Sequence, residues 1–520
     1  MFYIKSKFYQ YPLRKDRFYG DAIDNLLKKN PRVRWVEEAV EIPPVSANAD
    51  TLLWNPCTAL HCFVNSEELK TINFLKKGLS LEELKSKSRM ISGSLNKDLI
   101  KHLFLRTMIT LDSETFIPLD IYNEGPVFEE RYLVELLMSE SCQLSCKYCF
   151  AEPNKKRPPM TREIASAAID KAMQLPVSSF TLEFGGGETF LYFKEFIDLV
   201  KEIKEKADRA EKDVEIVVQT NGTLLHKHKM VEFLLKNNIN VGFSMDGPPE
   251  INDLSRPYSH GKGSAKDILK SVKLMHHFGQ KNIPFLTVVN RYNVNYPEQV
   301  VDYFNSLGSN RGMFLPTLKL GAAETAWEET GIDADEYFDF MKRMLEHSTY
   351  GKNFHCLMIK RMLDNLINPT RDFRCMRSLC GAGKDYIVVD SRGDIFPCSH
   401  HVHREELKMG SITDSTPLSQ YFPRNQLLEE VFDTRRVNNI SICSRCIWRH
   451  LCEAGCSLDS FYHHGHMQGS STLCGYYRKM YPFLLQCCVQ HPDIITAYLE
   501  DEVEIISFYN GKDASDKGET

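Results

Sequence analysis

Between residues 131 and 316, short β-rich runs alternate six times with helical patterns, and this alternation constrains the fold more than any single motif. The runs are RYLVELLM (131–138), FTLEF (180–184), VEIVVQ (214–219), VGFSM (241–245), FLTVV (285–289) and MFLP (313–316). Helical spacing fills the intervals: MTREIASAAIDKAMQL (160–175), with Thr161 as a predicted N-cap, then segments near 191–210, 226–236, 263–279 and 297–307. A strand that returns after each helix builds a parallel sheet, and parallel barrels carry their chemistry on the loops that follow the strands.

Those loops are unusual. The first strand runs into SCQLSCKYCF (141–150), which crowds Cys142, Cys146 and Cys149 into eight residues. Three thiolates suit zinc with one open position or a four-iron cluster with one unligated iron, and both leave a site for a ligand that is not protein. FGGGET (184–189), QTNG (219–222) and SMDGP (244–248) end the next three strands. Glycines there permit close backbone approach to a ligand, and Glu188 and Asp246 are predicted to meet an ammonium and a ribose.

Composition narrows the setting. The 520 residues are 42% apolar, enough for several cores, and hold 16 cysteines. The N-terminus has no apolar run of signal-peptide length, and no stretch approaches the ~20 apolar residues of a membrane span, so a cytoplasmic protein with no membrane partner is expected. In a reducing compartment dense thiols point to metal or cluster ligation. A net charge of −5 excludes a broad nucleic-acid surface. Cys57, Cys62, Cys356, Cys487 and Cys488 lie outside the patterned groups and are read as ordinary buried thiols.

In the thiol triplet, in Tyr148 before its last cysteine and in the Gly186, Gly187, Glu188 motif, the chain resembles the radical S-adenosylmethionine (SAM) enzymes. The resemblance implies an α/β fold built on a partial (β/α)6 TIM-like barrel. It also implies a [4Fe-4S] cluster held by Cys142, Cys146 and Cys149, with SAM on the open iron. By position, Tyr148, Gly186, Gly187 and Glu188 join the cofactor site, Glu188 taking the SAM ammonium, Ser244 and Asp246 the ribose region, and Arg256 in NDLSRPYSHGKGS the carboxylate.

A second thiol series runs Cys380, twelve residues, Gly393, four residues, Cys398, then Cys443, Cys446, Cys452, Cys456 and Cys474. It is similar to the seven-cysteine SPASM domain, with Cys375 as an eighth thiol. The resemblance implies two auxiliary [4Fe-4S] clusters, one on Cys375, Cys380, Cys398 and Cys456, the other on Cys443, Cys446, Cys452 and Cys474, three clusters in all with the first. DYIVVDSRGDIFPC (385–398) reads as a hairpin that brings distant thiols together. A pair of structural zinc knots is the plainer alternative.

The remaining segments complete the domain plan. ALHCFVNSEELKTINFLKKGLSLEELKSK (59–87) reads as strand, helix, glycine break and a second helix capped by Ser80, followed by a helix in NKDLIKHLFLRTMITLD (96–112). This order is similar to winged-helix peptide-recognition elements, which bind a leader segment as an added strand. The expected domains are residues 1–115 for peptide recognition, 116–320 for the barrel, 321–372 as a helical connector, 373–485 as the SPASM domain and 486–520 as a C-terminal segment with a disordered tail.

The function implied is maturation of a ribosomally made precursor peptide with a leader segment. SAM-derived radical chemistry would install a thioether or carbon-carbon crosslink, served by a small electron donor such as flavodoxin or ferredoxin. The alternatives are formylglycine formation, as in anaerobic sulfatase maturases, and a non-catalytic iron-sulfur or zinc scaffold. The maturases carry an acidic residue after the thiol matching Cys398; here Ser399 stands there, a poor base, followed by His400 and His401. No catalytic acid or base is assigned.

Overall fold

The computed structural model describes residues 2–6, 27–37, 39–42, 51–57, 60–88, 97–113, 132–151, 157–348, 354–367, 380–402, 404–421, 435–491, 498 and 503–507. The first strands are β1 (Phe2–Ser6), β2 (Val33–Trp35), β3 (Val40–Ile42), β4 (Thr51–Asn55) and β5 (Leu60–Val64). Then come α1 (Ser66–Leu75), α2 (Leu81–Ser88), α3 (Lys97–Leu105) and β6 (Ile109–Leu111). Ser80 caps α2 reciprocally: its Oγ accepts from Glu83 N at 3.3 Å while Glu83 Oε2 accepts from Ser80 N at 2.8 Å.

The β4–β5 hairpin is buried on both faces, and its alternation divides the core. Leu53, Cys62 and Val64 pack with Ile72, Leu103 and Phe104 of the N-terminal helices. Leu52, Trp54 and Phe63, pointing the other way, join the main core of the molecule.

The six expected strands form: β7 (Leu133–Ser139), β8 (Ser179–Gly186), β9 (Asp213–Thr220), β10 (Asn240–Ser244), β11 (Phe285–Val289) and β12 (Arg311–Pro316). They are joined by α4 (Arg162–Met173), α5 (Phe193–Ala210), α6 (His228–Lys236), α7 (Pro249–Ser255), α8 (Ala265–His277) and α9 (Pro297–Ser306). Thr161 Oγ1 accepts from Ile164 N at 3.3 Å, the cap expected of it. Every neighbouring pair from β7 to β12 is parallel and in chain order. Val134, Leu136 and Met138 of β7 join the core cluster that also holds Ala165, Ala168 and Ile169 of α4, and Leu133, Glu135 and Leu137 do not. Leu133, Glu135 and Leu137 therefore face the inner side of the sheet.

The C-terminal part adds α10 (Ala334–His347), β13 (His355–Cys356), α11 (Leu357–Ile367), β14 (Tyr386–Val389), β15 (Asp394–Phe396), β16 (Gly410–Ser411), α12 (Ser457–His464), α13 (Cys474–Gln490) and β17 (Val503–Ser507). The large sheet has ten strands in the order β13-β12-β11-β10-β9-β8-β7-β14-β15-β16, and the N-terminal sheet five, β17-β1-β5-β4-β3. The segment read as a helical connector thus also carries β13, which pairs with β12; two residues are too short to leave a periodic signal. The 385–398 hairpin forms, with β14 parallel to β7, so the cysteine-rich region continues the barrel sheet. Gly393 turns it at φ +89°, and Asp390 Oδ1 accepts from Arg392 N and Asp394 N, each at 2.9 Å. Among the described residues no helix is long and apolar enough to cross a membrane.

Candidate active site

The thiol loop after β7 lies directly on the glycine loop after β8. Gly187 N donates to Ser139 O at 2.7 Å and Glu188 N to Ser141 O at 3.0 Å. A Cβ on Gly186, whose φ is +110°, would stand 2.4 Å from Ser139 O, and one on Gly187 2.2 Å from Ser141 O. Glycine is therefore required by the closeness of the two loops. On its other side the thiol loop is held by the segment after α7, with Ser145 N donating to Pro257 O at 2.8 Å and Lys147 N to Ser255 O at 3.1 Å.

Cys142 Sγ meets Leu144 N at 3.4 Å and Asn221 Nδ2 at 3.6 Å. Burial raises all three thiols above their ordinary range, Cys142 to about 11 and Cys149 to about 12, and for Cys149 the neighbouring Cys146 and Cys142 add to it. The Arg256 guanidinium opposes this rise at all three thiols, and a bound cluster iron would favour their thiolates further.

Glu188 is buried at the ends of three strands. Its Oε1 accepts from Phe190 N at 3.1 Å and Thr220 Oγ1 at 2.7 Å, and Oε2 accepts from Asn221 N at 2.9 Å. A carboxylate has about four acceptor sites, so one remains on Oε2. Burial raises the Glu188 carboxyl against these hydrogen bonds.

Asp246 is wholly buried. Tyr148 Oη and Ser255 Oγ each donate to its Oδ2 at 2.6 Å, and Val288 N donates to Oδ1 at 3.1 Å. Arg256 Nη1 donates to Tyr148 Oη at 2.6 Å and lies 4.0 Å from Asp246 Oδ1. The carboxylate expected to face a ribose is thus occupied in fixing Tyr148 and Arg256. Arg256 Nε is buried and has no hydrogen-bond partner among the described residues. Cys146 is the foremost charge raising the Arg256 pKa against its desolvation, which puts the guanidinium beside the thiol loop. Ser244 Oγ accepts from Gln219 Nε2 at 2.9 Å.

The second thiol series divides into two groups. Burial, then Cys474 and Cys446, push Cys443 up to about 11; burial, then Cys446 with Cys443 behind it, raise Cys452; burial, then Cys446, raise Cys474. Cys456 is pushed to about 11 by burial, and among the neighbouring charges that add to this Cys380 is the foremost. Cys380 and Cys398 bracket the β14–β15 hairpin, where Gly383 N donates to Pro397 O at 3.0 Å, and Cys398 Sγ lies 2.7 Å from His401 Nδ1. Cys375 lies outside the described residues. Of the cysteines read as ordinary buried thiols, Cys62, Cys356 and Cys488 are buried and Cys57 and Cys487 half-buried.

Among the described residues no three Cys, His, Asp or Glu side chains converge on a point that would hold a single ion. The grouped thiols, with a buried guanidinium edge that has no partner among the described residues beside the first group, suit iron-sulfur clusters.

Several residues at the site carried no assignment. Asn221 links Cys142 to Glu188. Glu135, a lone acid in the apolar run LVELL, accepts from Tyr386 Oη on the inner face of the sheet, and Ser399 Oγ lies within hydrogen-bond distance of Tyr386 Oη at 3.0 Å. Burial, then the charge of Glu183, push the Glu135 carboxyl up to about 8. A Cβ on Gly185 would stand 2.2 Å from Glu135 Oε1, so this carboxyl lies immediately beneath the glycine loop. His400 is edge-on to Phe150, ring centroids 4.5 Å apart, and burial lowers it to about 4.

Two family models match the chain. Residues 136–304 match the radical SAM superfamily, and residues 380–447 match SPASM, an iron-sulfur cluster-binding domain. A cysteine-type anaerobic sulfatase-maturating enzyme of Clostridium novyi is 26% identical over 332 residues, 61% of this chain and 85% of the relative. Native anSMEcpe with bound AdoMet superimposes with a TM-score of 0.60 at 21% identity, covering 69% of this chain and 100% of that one. Streptococcus suis SuiB bound to its precursor peptide SuiA superimposes with a TM-score of 0.52 at 16% identity, covering 85% of this chain and 99% of that one.

Proposed function

We propose that this chain, a radical SAM enzyme with a SPASM domain, matures a ribosomally made peptide by joining two of its residues. The radical SAM domain binds SAM and a four-iron, four-sulfur cluster, and the SPASM domain binds auxiliary iron-sulfur clusters. SAM at a reduced cluster supplies hydrogen-abstracting one-electron chemistry, and auxiliary clusters supply an electron acceptor.

Cys142, Cys146 and Cys149 would hold the first cluster. The unpartnered Nε of Arg256 is the donor left over for the SAM carboxylate, and the one remaining acceptor site of Glu188 suits its ammonium. Asp246 acts at one remove: by holding Tyr148 and Ser255 it keeps Arg256 aimed at the thiol loop. Gly186 and Gly187 keep the two loops in contact, and Ser244, at the end of β10, would meet the ribose region. Cys443, Cys446, Cys452 and Cys474 would hold one auxiliary cluster, and Cys380, Cys398 and Cys456, with Cys375 as fourth ligand, the other.

The observation that carries the reading is the contact of thiol loop and glycine loop, with the unpartnered Nε edge of a buried guanidinium beside them. The likeness to SuiB, solved with its precursor peptide, extends over more of the chain than the likeness to anSMEcpe, and that difference supports a leader-binding role for the N-terminal sheet. A flavodoxin- or ferredoxin-sized donor would reduce the first cluster.

A second reading, oxidation of a peptide Cys or Ser to formylglycine, is favoured by the likeness to the Clostridium novyi enzyme. Ser399, which offers no carboxylate beside Cys398, favours crosslinking. Mass spectrometry of peptide incubated with the reconstituted enzyme, SAM and reductant decides between them. Loss of two hydrogens with linked fragments supports the crosslink; a hydrazine-reactive aldehyde supports formylglycine and overturns it.

A further inference from the structure

Arg435 is 6% exposed and spends its guanidinium on neutral acceptors. Nη1 donates to Ser460 Oγ and Gly469 O, each at 3.0 Å, and to Met467 O; Nη2 donates to Ala454 O and Gly455 O, each at 3.0 Å. No carboxylate pairs with it among the described residues. Asp459, whose charge reaches it, is committed elsewhere, its oxygens accepting from Ser471 Oγ at 2.6 Å, Thr472 N at 2.7 Å and Thr472 Oγ1 at 2.8 Å. Carbonyl dipoles satisfy the N–H groups but leave the unit charge uncompensated, and a buried unpaired cation is costly. Such a group implies an anion nearby.

The surroundings identify it. Ala454 and Gly455 lie between Cys452 of one thiol group and Cys456 of the other. Burial lowers the Arg435 pKa, and the groups whose negative charge would oppose this are, in order, Cys456, Cys380, Cys443 and Asp459, which puts cysteines of both auxiliary groups near the same guanidinium. An iron-sulfur cluster with four thiolates is an anion that gains further negative charge on reduction. Its potential follows local charge and hydrogen bonding.

We propose that Arg435 is the fixed counter-charge shared by the two auxiliary clusters, and that it raises the potential at which each accepts an electron. Auxiliary clusters are all this needs; it is independent of which peptide bond is made. A cation between two clusters favours the reduced form of both, so each is a better electron acceptor than its thiolates alone would make it.

The test is a potentiometric titration followed by electron paramagnetic resonance on the full, anaerobically reconstituted chain. The SAM-binding cluster serves as internal reference, recognised by the change in its signal on adding SAM. Arg435→Gln is expected to move both auxiliary potentials to more negative values and leave the reference in place. Arg435→Lys, which keeps the charge but loses the fork, is expected to retain wild-type potentials with lower thermal stability. Unmoved auxiliary potentials in cluster-loaded Arg435→Gln overturn the proposal. Should Arg435→Gln fail to fold, Arg435→Lys decides through pH: auxiliary potentials that fall as the buried lysine loses its proton support the counter-charge, and potentials that stay level through that loss overturn it. Absence of auxiliary signals from the wild type refutes the clusters themselves, a separate result.

Discussion

Asn221 donates its side-chain amide to Cys142 Sγ at 3.6 Å while its backbone N–H donates to Glu188 at 2.9 Å, so one residue at the end of β9 ties a thiol to the acid of the glycine loop. Removing the side chain keeps the backbone bond and leaves the thiol with the Leu144 N–H as donor. Asn221→Ala is expected to lower SAM cleavage about 10–100-fold, the usual cost of losing an outer-shell partner. Auxiliary-cluster signals should be retained. Unchanged cleavage at equal iron content contradicts the link.

Gly187→Ala places a methyl where Ser141 O now sits, 2.2 Å from the ideal Cβ position. Overpacking of this kind costs about 1–3 kcal/mol. The cost falls on the thiol loop, so the variant should fold but lose the SAM-binding cluster selectively. Iron analysis and the SAM-dependent change in the cluster spectrum check this; full loading would mean that the two loops are farther apart.

Glu135 gives a pH prediction. Its carboxyl titrates at about 8 in the folded chain, against about 4.3 when unfolded. Between those values the folded state binds the extra proton, so stability falls as pH rises through the window and levels off above it. Glu135→Gln stays neutral and keeps an acceptor for Tyr386. Its melting temperature relative to wild type should therefore rise from pH 5 to pH 8 and then stay constant; a difference independent of pH contradicts the raised pKa.

Trp54 couples the N-terminal sheet to the loop between Cys446 and Cys452. Its indole lies 5.0 Å from Trp448 between ring centroids, and Nε1 donates to Ile447 O at 2.8 Å. Trp54→Ala should cost about 3–5 kcal/mol. Faster proteolysis of the N-terminal segment and weaker loading of the cluster that includes Cys446 and Cys452 are expected. Loss of stability with unchanged loading would confine Trp54 to packing.

The six barrel strands were legible because each is a short β-rich run with a helix-period segment on either side. The thiol groups were legible because their spacing is local. Burial was not: Asp246 ends a strand in a glycine turn, and nothing in SMDGP says that its carboxylate is enclosed by Tyr148, Ser255 and Val288. Glu135 was visible as a lone acid within LVELL, a signal of a functional or paired carboxyl. Arg435 gave no signal, since its acceptors come from residues 454 to 469, and β14 joined β7 through a pairing of residues some 250 positions apart.

The central claim is that Cys142, Cys146 and Cys149 form a cluster site that cleaves SAM. The most direct measurement is 5'-deoxyadenosine released by the anaerobically reconstituted chain with SAM and dithionite, beside Cys146→Ala prepared identically. The wild type is expected to form it and the variant to form none above background. Equal amounts from both, or none from a wild type with full iron content, would contradict the account.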